Sequence, residues 1–418
     1  MSVLRDRDFL RFFGAQAISM FGDRMVSVAL AFAVLQQGGS PTQVGTVLAM
    51  RALPLIACLL IGGVVADRTS RRTVLVVADL VRLVSQGSLA AWLILGHPSV
   101  LAIGLLAGIT GAGSGFAAPA TTGLLPEVVV PERLAEANGL RATAFSAGEL
   151  GGPLLSGLLV AAAGPGWALG VDALTFGASA ALLIGLRRVG AAARMRTSGA
   201  SFRSDLRAGW HAFRAQRWLW TFVLYASASN LFFGAWKVLG PVVAHRDLGG
   251  AAAWGVLVSA MGVGTIMGGI LALRMTPPRP MLLVAATSPT FAAPLAALAA
   301  VHSVPVIAIG TLLAGLGLML GNTVWETTVQ RHVPSESLSR VSSYDWFGSL
   351  ALDPIGLAIW GPIAGVIGIN ASLWTSCGLL VTSALALFAV PEIRRLPAFP
   401  PTPAHNRRSS SAGGTVVR

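Results

Sequence analysis

Asp23, Arg24, Arg51, Glu149, Asn230, Lys237 and Asp353 are polar residues inside long apolar runs of this chain and its candidates for coupling or substrate binding. A charged side chain at mid-bilayer costs roughly 2.5 to 3.5 kcal/mol on insertion scales, so each must face a partner or a wet cavity. A carboxylate in a partly dry cavity can load and release a proton as its access to water alternates, which is the chemistry of proton exchange across a membrane. Asp23 heads that reading, followed by Asp353 and Glu149. Gln16, Ser19, Met20, Asp23 and Ser27 recur at steps of three and four, a polar stripe on one helix face. Pairing of Asp23 with Arg24 or with Arg51 would offset part of its insertion cost, either as a structural ion pair or as part of a coupling site.

Asp345, Ser349 and Asp353 line up at steps of four. Ser227, Asn230, Gly234 and Lys237 share a face, which points to substrate hydrogen bonds or a counter-charge to Asp353, with snorkelling the alternative for Lys237. Asp79, Arg82 and Asp345 are read nearer the inner surface, as structural pairs. Asp172 falls near the outer end of its run, where solvation accounts for it. Phe116, Met261, Trp346 and Trp360 are candidates for an apolar wall, against packing or lipid contact as the plainer role.

The elements that carry these residues follow from composition. Of 418 residues, 54% are hydrophobic and 11% charged, with 49 Gly, and the mean hydropathy is +0.72. At roughly 20 residues per span, the hydrophobic side chains suffice for about eleven or twelve membrane helices, which excludes a soluble enzyme, a disordered chain or a disulfide scaffold. Apolar runs divide near Phe9 to Leu35, Gln43 to Ala66, Val74 to Leu95, Val100 to Leu125, Asn138 to Ala163 and Trp167 to Leu186. A second set runs near Trp218 to Ala244, Ala253 to Leu273, Met281 to Val301, Val304 to Val329, Ser343 to Gly368 and Asn370 to Val390. The expected fold is an all-α polytopic membrane protein of twelve transmembrane helices, arranged as two pseudo-symmetric six-helix bundles.

The net charge of +13 does not form a nucleic-acid patch. The basic residues, of which Lys237 is the one lysine, cluster in short loops spaced by apolar runs of span length. Placing the N-terminus inside puts Arg68, Arg71, Arg72, Arg133, Arg187, Arg188, Arg274, Arg279 and Arg394 on the inner side and leaves Arg246 on the outer one. That asymmetry predicts an even span number with both termini cytoplasmic, in an inner or plasma membrane. The expected domains are residues 1–190, a cytoplasmic linker 191–217, residues 218–391 and a disordered cytoplasmic tail 392–418. In the linker, Leu206, Trp210 and Phe213 recur at helical spacing with Arg203, Arg207 and Arg214 on other faces, the pattern of an amphipathic helix at the inner leaflet.

The halves repeat. Gly62-Gly63 with Arg68 recurs as Gly268-Gly269 with Arg274, and Leu105-Leu106-Ala107-Gly108 recurs as Leu312-Leu313-Ala314-Gly315. Parallel repeats of this kind relate two bundles about an axis along the membrane normal, with substrate between them. The segment from Gly63 through Asp67-Arg68 to Arg71-Arg72 resembles the loop signature of the major facilitator superfamily, with Ser70 in place of its second glycine. In that family the loop latches one half against the other, so the resemblance implies a gating role for Gly63, Asp67, Arg68, Arg71 and Arg72. Gly139, Gly148, Gly152-Pro153 and Gly157 resemble the antiporter motif of drug and metabolite exporters, apart from Ser156. Glycines about four apart let helices pack backbone to backbone, and proline lets the helix bend, as a pliable gate requires. Gly22-Asp23, Ala78-Asp79-Leu80-Val81-Arg82 and Pro131 to Leu140 are similar to the macrolide-efflux and enterobactin-exporter branch.

The resemblance implies proton-coupled efflux of an amphipathic small molecule, with a uniporter or importer of a metabolite or siderophore as the alternative and a transport-dead sensor behind both. The expected partners are a small-molecule substrate, protons and the lipid bilayer, with no nucleic acid and a monomeric chain. No cofactor or metal is expected. The two cysteines, Cys58 and Cys377, lie in apolar runs and read as small core hydrophobes, and no nucleotide-binding glycine loop occurs. The six histidines lie in loops, the tail or near span ends without an HExxH pattern, which speaks against an enzyme.

Overall fold

Capping residues divide the apolar runs into helices. In the computed structural model, which describes residues 3–186, 210, 211 and 213–399 apart from the side chains of 60, 64, 67, 335–337, 339 and 340, Asp6 opens α1 (Arg7–Leu35) by accepting from the N–H groups of Asp8 and Phe9. Ser40 and Gln43 form a reciprocal capping box on α2 (Pro41–Arg68), Ser70 caps α3 (Arg71–Leu95) and Ser99 caps α4 (Val100–Val128). Each cap satisfies donors that the first helical turn leaves unpaired. The first half closes with α5 (Leu134–Ala163) and α6 (Pro165–Ile184).

The second half runs α7 (Arg217–Asp247), α8 (Ala251–Leu273), α9 (Pro280–Thr287), α10 (Ala293–Ala300), α11 (Val304–His332), α12 (Ser335–Leu350), α13 (Asp353–Ile367), α14 (Ile369–Leu387) and the short α15 (Pro391–Arg395). Gly164 between α5 and α6 has φ 94° and ψ 165°, and Gly368 between α13 and α14 has φ 85° and ψ 159°. Only glycine occupies that region without strain, so the two halves turn their fifth span into their sixth by the same device. Among the described residues, twelve helical segments are long and apolar enough to cross a bilayer, and none is a strand.

Two spans differ from the continuous helices read in the sequence. The ninth is α9 and α10 joined by a 3-10 turn over Ser288–Ala292, with Pro289 and Pro294 removing backbone donors. The eleventh breaks at Ala351 and Leu352, because Pro354 at the start of α13 cannot extend α12. Asp345, Ser349 and Asp353 therefore do not form one stripe: the first two lie on α12, while Asp353 occupies the first turn of α13. Of the expected linker helix, only residues 210, 211 and 213 onward are described. Trp210 stacks on Phe213, both rings contact Tyr344, and Phe213 is buried against the second half. The rest of that helix, and the tail from residue 400, lie outside the described residues.

Packing separates the two ends of the molecule. One hydrophobic core draws on both halves, from Met25 to Leu35, Val44, Val47 and Val160 on one side and Trp236, Leu239, Trp254, Leu257, Leu357 and Trp360 on the other. All of these lie toward the end away from the chain termini. At the termini end there are two cores instead of one. Phe9, Phe12, Leu75, Leu124 and Leu183 cluster within the first half, and Trp218, Leu219, Met281, Trp325 and Val341 within the second. The halves are thus sealed together at one end and packed separately at the other.

Candidate functional site

The first half holds a charge cluster built from four helices. Asp23 stands seventeen positions into α1, and its carboxylate meets Arg51 of α2 at 3.5 Å and Arg82 of α3 at 3.3 Å. Arg82 also donates to Asp79 one turn earlier, and the other Asp79 oxygen accepts from Ser179 of α6 at 2.6 Å. The Arg82 guanidinium lies 4.2 Å from the Phe176 ring centroid, a cation–π contact that covers its face. Space for the two arginines comes from glycines of α4. A Cβ on Gly113 would stand 2.7 Å from Arg82 Cγ, and one on Gly111 2.1 Å from the Arg51 carbonyl oxygen. Behind Arg82, the fully buried Asp172 of α6 accepts from Gln86 at 2.9 Å, and Gln86 is in turn engaged by Thr110.

These placements decide between alternatives for Arg24 and Trp360 and correct the readings of Asp79, Arg82 and Asp172. Arg24 does not serve Asp23: it turns to Glu149 of α5 at 2.5 Å and covers the Phe145 ring at 4.6 Å. Asp79 and Arg82 do pair, but within the same cluster as Asp23 rather than near the inner surface. Arg82 is eleven residues into α3, about 16 Å along a helix rising 1.5 Å per residue, which is halfway through a hydrocarbon core of about 30 Å. Asp172 is not solvated; it is shut beneath α1 and α3. Trp360 is no cavity wall, being 2% exposed with its indole N–H donating to the Leu231 carbonyl at 2.8 Å. The stripe Asp79, Arg82, Gln86 at steps of three and four was the available signal for the missed residues.

The second half holds a simpler set. Lys237 of α7 meets Asp353 at 2.5 Å, with Asp353 in the first turn of α13, where the helix dipole favours a carboxylate. Asn230, two turns earlier on α7, donates to the carbonyls of Ala226 and Ser349 and so ties α7 to the end of α12. Asp345 accepts from the Trp325 indole at 2.9 Å and from Ser349.

The two glycine-bearing motifs occupy different joints. On α5, Gly148 and Gly152 face α1, where a Cβ on Gly152 would stand 2.6 Å from Arg24 Cβ. The opposite side of the helix meets α8 of the second half: a Cβ on Gly157 would stand 2.5 Å from the Ala251 carbonyl, and one on Gly255 2.6 Å from that of Pro153. Ser156 donates to the Met25 carbonyl at 2.8 Å, a bond that glycine could not make. The loop after α2 engages its own half. Arg71 donates to the Gly123 carbonyl and to Glu127 of α4 at 2.7 and 2.9 Å, and Arg72 to the Ile184 carbonyl at the end of α6. Arg68 is exposed and Gly63 half-buried, while the Asp67 side chain lies outside the described residues.

A family model described as transmembrane secretion effector matches residues 1–408. The chain belongs to that family. The chain is 27% identical over 409 residues to the multidrug efflux pump Tap of Mycobacterium tuberculosis, a match covering 92% of this chain and 94% of the pump. It is 25% identical to the enterobactin exporter EntS of Salmonella choleraesuis over 94% of each chain. Among solved structures, the nucleoside transporter NupG superposes with a TM-score of 0.71 at 12% identity, covering 91% of this chain and 98% of that one. A bacterial homolog of the human lysosomal transporter Spinster gives 0.71 at 14% identity, covering 94% and 98%. At such identities the superpositions speak for the fold, and it is the major facilitator fold expected from the motif ending in Arg71-Arg72.

Proposed function

We propose that this chain is a secondary active transporter that exports an amphipathic small molecule by alternating access, driven by proton entry. The observation that carries the reading is the contrast between the ends of the molecule: one core shared by both halves away from the termini, and two separate cores at the termini end. In a membrane with both termini cytoplasmic, this is a carrier open to the inside. Residues 1–190 and 218–391 are then the two moving units, linked through 191–217, with a cytoplasmic tail from 392, and the chain works as a monomer in the inner or plasma membrane. The names of the curated relatives, a multidrug efflux pump and an enterobactin exporter, favour export over uptake. Asp23 supplies the coupling chemistry. It is 27% exposed, shared between two arginines, and placed at mid-depth on α1, so its partners can be won or lost as the halves rock.

The test is accumulation of a fluorescent lipophilic cation and of a panel of antibiotics and siderophores in an efflux-deficient cell expressing the full chain, with and without a protonophore. Lower accumulation that is abolished both by the protonophore and by Asp23→Asn is the expected result. Unchanged accumulation of every compound, with the chain present in the membrane, would sink the export reading.

A further inference from the structure

We propose that the exchangeable proton is bound by Asp172, the carboxyl at the dry end of the first-half cluster, and that Asp23 is the wet partner through which the cluster is opened. This rests on the proton-coupled reading above and names its site. Asp172 has no exposed surface; its Oδ2 accepts from Gln86, and its Oδ1 has no hydrogen-bond partner among the described residues. The cover over Oδ1 is made by α1 at Gly22, where a Cβ would stand 2.4 Å from Oδ1 and 2.4 Å from Thr175 Oγ1. Glycine at that position lets the helix lie directly on the carboxyl and keep water from it.

The charges around Asp172 are Asp23 on α1, Arg51 on α2 and Arg82 on α3, and Arg82 in turn holds Asp79 of α3. The remaining helix packed on α6 is α5, and its Glu149 is turned to Arg24. The cluster therefore holds three carboxyls against two guanidiniums. Asp23 engages both guanidiniums and Asp79 one of them, and neither arginine bonds Asp172. Two positive charges balance Asp23 and Asp79; an ionised Asp172 would be a buried charge with one neutral donor, whereas a protonated one leaves the cluster neutral. The cluster also contains the means of a second arrangement. Arg51 Nε and Arg82 Nε are buried with no partner among the described residues, so two donors and one acceptor oxygen stand unused within one cluster. When Asp23 releases its arginines, these donors can turn to Asp172, its O–H bond breaks, and the proton passes to water on the side where Asp23 is exposed. When Asp23 recaptures them, Asp172 takes up a proton from water.

Infrared titration of the purified full-length chain in lipid vesicles reads the carbonyl stretch of a protonated carboxylic acid and requires no substrate. The expected result is a wild-type acid band that is lost as pH rises, absent from Asp172→Asn, and retained with a displaced midpoint in Asp23→Asn. Gln86→Leu keeps the carboxyl, removes the one donor to it, and displaces the midpoint, so the assignment does not depend on Asp172→Asn folding. A band that vanishes in Asp23→Asn and persists in Asp172→Asn would place the proton on Asp23 and overturn the proposal. A wild type without such a band, or a midpoint unmoved by Gln86→Leu, would overturn it equally. If the band belongs to Asp172 while no compound responds to a proton gradient in cells, the export reading falls and the proton site stands.

Discussion

Arg82 holds three groups at once: the carboxylates of Asp23 and Asp79 and the face of Phe176. At 4% exposure it is the deepest cation of the cluster, and removing it leaves the buried Asp79 without a cation and Asp23 with Arg51 alone. Loss of one member of a buried ion network costs about 3 to 5 kcal/mol, so Arg82→Met is expected to lower the thermal unfolding midpoint strongly, read by intrinsic tryptophan fluorescence in detergent. Arg24 and Glu149 also form a close pair, yet their side chains are 39% and 26% exposed. Pairs with that access to solvent are worth about 0 to 1 kcal/mol, and Arg24→Gln should leave the midpoint nearly in place. An equal loss in both variants would show that burial does not rank these two pairs.

At the scale of the element, α5 is the strap between the halves. Gly148 and Gly152 set it against α1, Pro153 and Gly157 set it against α8, and the closest approaches to α8 are to backbone atoms. Gly157→Val drives a branched side chain into the Ala251 backbone, so the sealed end should open. In a background of Cys58→Ala and Cys377→Ala, labelling of Val47→Cys by a membrane-impermeant maleimide is expected to rise severalfold, because Val47 is fully buried in the shared core. Labelling that stays at background would mean that the seam does not depend on this contact. The turns at Gly164 and Gly368 make a separate demand. Their backbone lies in a region essentially closed to other residues, where strain costs about 1 to 3 kcal/mol, so Gly368→Ala should lower thermal stability by an amount in that range.

The whole molecule has a closed end and an end where each half keeps its own core. Alternating access by rigid halves requires the shared core to part when the separate cores meet. Spin labels at Thr69 and Arg331, exposed at the termini end of α2 and α11, should come closer when a transported compound is added, while labels at Gln36 and His302 at the other end move apart. Reciprocal change at the two ends is the signature; movement at one end alone, or at neither, would contradict rocking of two rigid halves.

The number of spans, their division into two sets and the family signature were legible in the sequence, because each is written in local features: apolar runs of span length, loops rich in arginine, glycines and prolines at fixed steps. Asp23 stood out for the same reason, as a charge in the middle of a long apolar run. What the tertiary structure decided was partnership and depth. Arg24 and Arg51 were equal candidates for Asp23 by sequence, and the rotation of α1 against α2 and α5 sends one to Asp23 and the other to Glu149. Asp79, Arg82 and Asp172 looked peripheral because loop distance along the chain stood in for burial, whereas packing of α3 and α6 beneath α1 makes them the centre of the cluster. A helix pattern tells which residues share a face; which other face it meets is set by long-range packing, and a buried charge takes its chemistry from that neighbour.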